Sequence, residues 1–319
     1  MGPIGKLLVQ RISLGLLLLF LVSIVIFAGT IILPGDVAQQ ILGQSATPEA
    51  LANLRAELGV DQPPLERYFE WLGGIVQGDL GTSLASGQSI NEIVGRRFAN
   101  TLFLAGCAAI VAVPFAIFLG LLAVRYQERW PDKMISASTL TTISMPEFVI
   151  GYILMFILGV QLRWFSPTAV GFRPDADFFT RLEAIAIPVI VLTLVVLAHM
   201  MRMTRAAILN VMQSAYIETA ELKGLSSFTV IRKHAFPNAI SPVVNVVMLN
   251  LAYLVVGVVV VEVVFVYPGM GQFLVDAVTK RDIPVVQACG MIFAAIYIGL
   301  NLIADVVSII ANPRLRHPK

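Results

Sequence analysis

Six long apolar runs dominate this sequence, at about residues 9–33, 98–124, 134–161, 184–203, 238–266 and 285–311. At 1.5 Å per helical residue, each can cross a hydrocarbon core of ~30 Å. Backbone groups in lipid must find partners within their own segment, so each run is expected to be a helix. The composition agrees: 57% of residues are hydrophobic and 13% charged, about half the charge of an ordinary soluble domain. A net charge of +2 carries no nucleic-acid footprint. Cys107 and Cys289 both lie in apolar runs and read as small packing residues rather than a disulfide. Lys6 and Arg11 precede the run Ile12–Leu33 as in a signal peptide. That run exceeds the 7–15 residues of a secretory core and no Ala-x-Ala site comes after it, so it is expected to stay as the first span. The fold class is an all-α polytopic membrane protein with six transmembrane helices.

With the N-terminus inside, basic residues such as Arg125, Arg129, Arg202, Arg205, Arg232 and Lys233 concentrate on the cytoplasmic segments. The first outer segment, 34–97, is too long for a bare loop. Thr47-Pro48 is a helix start, and Leu51, Leu54 and Leu58 recur at helical spacing before Gly59. After the Pro63-Pro64 turn, Leu65, Phe69, Leu72 and Val76 form a second apolar stripe, and Gly78, Gly81 and Gly87 break the chain beyond it. This is a helical subdomain on the outer face, either a structural cap or a docking surface. Pro114, Pro146, Pro188 and Pro242 fall within or at the ends of spans, where each is expected to kink its helix.

Residues 204–237 are polar and turn-containing where a minimal loop would suffice. The spacing predicts that the fourth span continues as helix through Thr204–Lys223, with Ile208, Met212, Tyr216 and Ala220 on one stripe. Gly224 suits a left-handed helix stop, Ser226 or Ser227 a new cap, and Phe228, Ile231 and Ala235 a second stripe. Pro237 would set the start of the fifth span. The expected product is a helix-turn-helix lever at the cytoplasmic surface.

Glu218-Thr219-Ala220, Gly224 four residues on, and His234-Ala235-Phe236-Pro237 resemble the EAA loop of binding-protein-dependent ABC importer permeases. Thr219 replaces the first alanine, His234 an aliphatic residue and Phe236 a leucine, while the glycine and proline keep their spacing. Further motifs resemble the dipeptide/oligopeptide (peptide, nickel, opine) branch of that family and its first-permease (B-type) subunit. They are Pro34-Gly35-Asp36, Leu58 to Pro63 with Tyr68, Gly78-Asp79-Leu80-Gly81-Thr82-Ser83, Glu262-Val263-Val264-Phe265 with Pro268-Gly269-Met270-Gly271, and Arg281-Asp282. The Asn312-Pro313-Arg314-Leu315-Arg316 ending is similar too, with Asn312 in place of an acid. The resemblance implies a type I ABC importer permease fold in a bacterial inner membrane, with both termini cytoplasmic. It also implies a heterodimer with a second homologous permease, two ATPase subunits below and an extracytoplasmic solute-binding protein above. Glu218, Thr219, Ala220, Gly224, His234 and Pro237 would be the ATPase-coupling residues. The implied layout is a first span within 1–33, an outer subdomain at 34–97, a permease core at 98–311 containing the coupling segment 204–237, and a tail at 312–319. Substrates of the branch are most often short peptides, but also nickel, opines and some oligosaccharides, with specificity residing largely in the binding protein.

No Gly-x-x-x-x-Gly-Lys-Ser/Thr loop occurs, so ATP and Mg are expected on partner ATPase subunits and no cofactor on this chain. His199, His234 and His317 are scattered, and neither a metal site nor a catalytic constellation is expected. Glu147, Glu262 and Asp305 lie within or near spans, where acids are costly and either carry function or make structural bonds between helices. They keep a rival reading open, an ion-gradient-driven secondary transporter using one of them as a relay. A membrane scaffold that recruits a cytoplasmic partner is a third.

Overall fold

All six apolar runs are helical in the computed structural model, which describes residues 3–32, 37–57 and 62–311. Pro34-Gly35-Asp36, the Leu58–Asp61 stretch with its Gly59 helix stop, and the 312–319 tail lie outside the described residues. Among the described residues, five helices are long and apolar enough to cross a membrane, and a bent pair makes a sixth.

Helix α1 (Pro3–Ile32) is apolar on every side and leans on the last helix of the chain. Three short helices come next, α2 (Val37–Leu42), α3 (Pro48–Glu57) and α4 (Pro64–Val76). As expected, Thr47 caps α3 by accepting from the Ala50 N–H at 3.2 Å. Helix α4 is docked through Tyr68, whose hydroxyl meets Ser23 Oγ of α1 at 2.8 Å, and through Tyr68 and Trp71 against Phe27. The stripe of Leu65, Phe69 and Val76 faces away from this contact and is exposed.

Helix α5 (Ile90–Arg125) begins eight residues before the expected 98, so residues 90–97 are helical and continuous with the second apolar run. Its first turns are apolar where it matters: Ile90 and Val94 are buried against Met270, Val285 and Cys289. Arg97 lies over the Phe273 ring at 5.5 Å.

The third run is not one straight helix. It divides into α6 (Trp130–Ser144) and α7 (Glu147–Leu154), the latter prolonged by a π-helical segment, Met155–Gln161, and the two arms meet at 102°. A residue before proline is pushed out of the helical region, and Met145 is extended (φ −96°, ψ 133°) before Pro146. The other prolines behave differently. Pro114 and Pro242 lie inside helices that continue through them, and Pro188 occupies the first turn of its helix, where the missing N–H is not needed.

After α8 (Phe178–Ala184) come α9 (Ala186–Met212), α10 (Ala215–Leu222), α11 (Ser227–Val230), α12 (Phe236–Val264), α13 (Met270–Lys280) and α14 (Ile283–Ala311). The centre of the bundle is α5 against α9, with α12 on α9 and α14. Ala105, Ala108, Ala112 and Ala116 form a small-residue stripe on α5, all buried, that lets helices approach closely. Gly120 continues it, since a Cβ there would stand 3.0 Å from Thr204 Cγ2.

Two buried carboxylates close the upper end, the end opposite residues 204–237. Glu262 is fully buried and accepts from Thr101 Oγ1 at 2.7 Å, Gly271 N at 2.6 Å and Gln272 N at 3.2 Å. It therefore ties α5 to α12 and caps the N-terminus of α13, where a negative charge is favoured. No side chain fits at Gly271, because a Cβ would sit 2.7 Å from Val259 Cα. Asp282 does the same for the outer loop, accepting from Ser83 Oγ at 2.5 Å, Leu84 N at 3.1 Å and Ala85 N at 3.2 Å. The motif Glu262–Gly271 thus belongs to the first closure, and Gly78–Ser83 and Arg281-Asp282 are the two sides of the second. Glu262→Ala should lower stability by about 3 kcal/mol, because two amide N–H groups and the Thr101 hydroxyl lose their partner in a buried site. Glu262→Gln, which keeps one acceptor, should fall between; thermal unfolding of the purified protein in detergent measures both.

Candidate functional site

At the lower end the helix of α9 stops at Met212 rather than running to Lys223 as the spacing predicts. Ser214 is extended (φ −82°, ψ 144°) and its Oγ donates to the Val211 carbonyl at 2.5 Å. Such a local bond offers the backbone an alternative to helix, and the chain turns before α10 begins. The expected stripe is broken accordingly. Ile208 is buried, but the buried positions of α10 are Ile217 and Ala220, and Tyr216 is exposed.

Ile217 and Ala220 pack into an apolar cluster with Val124 of α5, Val230, Ile231, Ala235, Ala239 and Val243. That cluster seats the hairpin on the bundle. Gly224 then turns the chain at φ +79°. Gly224 N donates to the Glu221 carbonyl at 2.8 Å and Leu225 N to the Ala220 carbonyl at 3.4 Å. This crossed pair is the Schellman helix stop, which needs a left-handed residue at that position. A Cβ on Gly224 would touch nothing within 4 Å, so the demand for glycine comes from the dihedral alone. Ser226 is the next cap, accepting from Thr229 N at 3.4 Å.

The second arm corrects another expectation. Pro237 does not begin the fifth span: α11 runs through a π-helical turn, Ile231–Ala235, directly into α12, making one rod from Ser227 to Val264. In a regular helix the Pro237 ring would meet the Lys233 carbonyl, and the wider turn just before it relieves that clash. The hairpin is therefore continuous with a span on one side and jointed at Gln213-Ser214 on the other.

The six residues singled out from the sequence have different surroundings. Ala220 is part of the buried seat. Glu218 and Thr219 are exposed on α10, with the Thr219 hydroxyl donating back to the Ala215 carbonyl at 2.9 Å, so threonine costs little there. Gly224 is the elbow. His234 is half-buried inside the π turn, its carbonyl accepting from Asn238 Nδ2 at 2.7 Å, and Pro237 is exposed. Among the described residues no hydrogen bond or ion pair joins Glu218 or Thr219 to His234. What the hairpin does bring together is an unbroken exposed stretch, residues 221–228, in which Leu222 is 82% exposed and Leu225 38%. These leucines carry no sequence signal beyond flanking the glycine of a polar segment.

The sequence reading also missed the clamp just above the hairpin. Arg205 of α9 grips Asp132 of α6 with two bonds, Nε to Oδ1 at 2.9 Å and a terminal nitrogen to Oδ2 at 2.8 Å. Asp132 also accepts from Glu128 N at 3.0 Å. Of the three membrane acids, Glu262 is spent in its closure and Asp305 pairs with Arg11 of α1 at 3.1 Å. Glu147 sits half-buried in the first turn of α7, at the 102° bend.

The family model described as "Binding-protein-dependent transport system inner membrane component" matches residues 112–317, and its N-terminal companion, "Binding-prot-dependent transport system membrane comp, N-term", matches 4–105. The chain is 37% identical over 299 residues to the glutathione transport system permease protein GsiC of Escherichia coli K12, covering 94% of this chain and 95% of the relative. The GsiC of Salmonella typhimurium is equally similar. A solved structure of the MetNI methionine ABC transporter in inward-facing conformations shares the fold, with a TM-score of 0.52 at 16% identity over 67% of this chain and 96% of that one.

Arg205→Ala should cost about 2–3 kcal/mol by leaving Asp132 unpaired. In that background Asp132→Ala should add little, so a double-mutant cycle followed by thermal unfolding should return a coupling of about 1–2 kcal/mol.

Proposed function

Because this chain belongs to the binding-protein-dependent inner membrane components, as an ABC importer permease of the peptide family, we propose that it forms half of a translocation pathway beside a second homologous permease. Two ATPase subunits carrying ATP and Mg dock below, and a solute-binding protein delivers substrate above. Both chain termini then face the cytoplasm. The proposed substrate is a short peptide or a related small solute, the class to which the glutathione named for its relatives belongs.

The observation that carries this reading is the exposed tip Glu221–Leu225 standing on a buried apolar base. An ATPase subunit would take the tip, with Leu222 as its apolar anchor, Glu218 and Thr219 beside it and Gly224 holding the elbow. His234 and Pro237 would act by shaping the rod. A partner shifts a two-state protein only if it interacts differently with the two states. Here a displacement of the tip passes without a joint into the Ser227–Val264 rod, which packs on α9 and α14 and ends at Glu262. The Gln213-Ser214 joint lets the other arm yield. A proton or ion relay through the membrane acids has less support, since Glu262 and Asp305 are already engaged.

Reconstitution with a second permease, ATPase subunits and binding protein should give uptake that requires ATP; uptake by this chain alone under an ion gradient would overturn the reading. Gly224→Val forces a β-branched residue into a left-handed dihedral at a cost of about 1–2 kcal/mol. It should cut uptake per ATP hydrolysed roughly five- to thirtyfold with the spans still inserted, while Gly224→Asn keeps most of it. Leu222→Asp should reduce co-purification of the ATPase subunits without changing helix content.

A further inference from the structure

Between the lower ends of α5 and the rod lies an open-sided crevice of about 350 Å³. One wall is Phe118, Leu121 and Leu122 of α5, and the other is Ile231 and Phe236. Its only charged lining residues are two arginines, Arg125 and Arg232. Both guanidinium groups lie over the same ring, that of Phe228, at 5.0 Å and 5.4 Å. Both arginines are exposed, and among the described residues neither makes an ion pair. An aromatic ring attracts a guanidinium without neutralising it, so two positive groups stand at one end of an apolar slot that has no carboxylate in its lining.

The apolar side of the slot continues along the bundle. Phe115 and Phe118 on α5 and Ile240 on α12 are exposed on helices long and apolar enough to cross a bilayer, so the slot opens onto an apolar face of the bundle. The π turn Ile231–Ala235 forms part of the wall, and such turns recur where helices build sites. An occupant must therefore join a negative headgroup to a hydrocarbon chain lying along the span.

We propose that this crevice binds an anionic phospholipid, its phosphate between Arg125 and Arg232 and an acyl chain against Phe118, Leu122 and Phe236. Basic pockets at the ends of membrane helices suit such headgroups, and guanidinium groups bind phosphate through several donors at once. Phe228 lies four residues beyond the Gly224 elbow, so the lipid would brace the base of the hairpin against α5.

The test is native mass spectrometry of the full-length chain in detergent, incubated with equal amounts of phosphatidylglycerol and phosphatidylcholine. The wild-type chain should retain phosphatidylglycerol preferentially. Arg125→Gln/Arg232→Gln should reduce that preference roughly thirtyfold, the loss expected for two cations near a membrane surface. Arg125→Lys/Arg232→Lys, which keeps the charge but loses the planar donor set, should keep part of it, and Arg173→Gln, remote from the crevice, should change nothing. Leu122→Trp, which fills the slot with both arginines present, should also release the lipid. The proposal is overturned by equal retention of the two lipids in the wild type, by retention unchanged in the double glutamine variant, or by displacement with inorganic phosphate as readily as with phosphatidylglycerol, which would make the pair a plain anion site.

Discussion

An unpaired backbone amide in hydrocarbon costs several kcal/mol, and this constraint accounts for where the chain is regular and where it is not. In the second and fifth apolar runs the backbone stays helical even through Pro114 and Pro242. Helix breaks come with specific local chemistry. Pro146 forces the bend between α6 and α7, Gly224 closes the hairpin with a crossed pair of backbone bonds, and Glu262 supplies acceptors for the first amides of α13.

That arrangement divides the bundle mechanically. The upper end is closed by two buried carboxylates that each gather donors from distant parts of the chain. The lower end is held by the exchange between Asp132 and Arg205 and by a small apolar seat. The hairpin between them and the surface has one stiff arm and one jointed arm. A force at its tip is passed along the stiff arm because no residue between Ser227 and Val264 leaves the helix. The proposed coupling to ATPase subunits uses this asymmetry, and a lipid between α5 and the rod would stiffen its base.

Much of this was legible in advance for a physical reason. Apolar length and the cost of bare backbone determine spans, and glycine, serine and proline mark turns through their own dihedral limits. Hence the six helices, the Gly224 stop, the Ser226 cap and the Thr47 cap arise from local chemistry. The misreadings were also local. Helix α5 began before its apolar run, Ser214 ended α9 early, and the π turn carried the rod past Pro237. In each case a neighbour in space, or a single side-chain bond, outweighed the residue pattern.

The amino-acid order by itself determined that the chain is a set of membrane helices with a turned polar insert, since hydrophobic length and backbone dihedrals are properties of short segments. Only the tertiary structure decided which carboxylates close the upper end, that Asp132 meets Arg205, and that Arg125 and Arg232 share one aromatic ring. Those pairs join residues as far apart as 199 positions along the chain. No local periodicity encodes such distances; they arise when helices pack and bring a donor within about 3 Å of its acceptor.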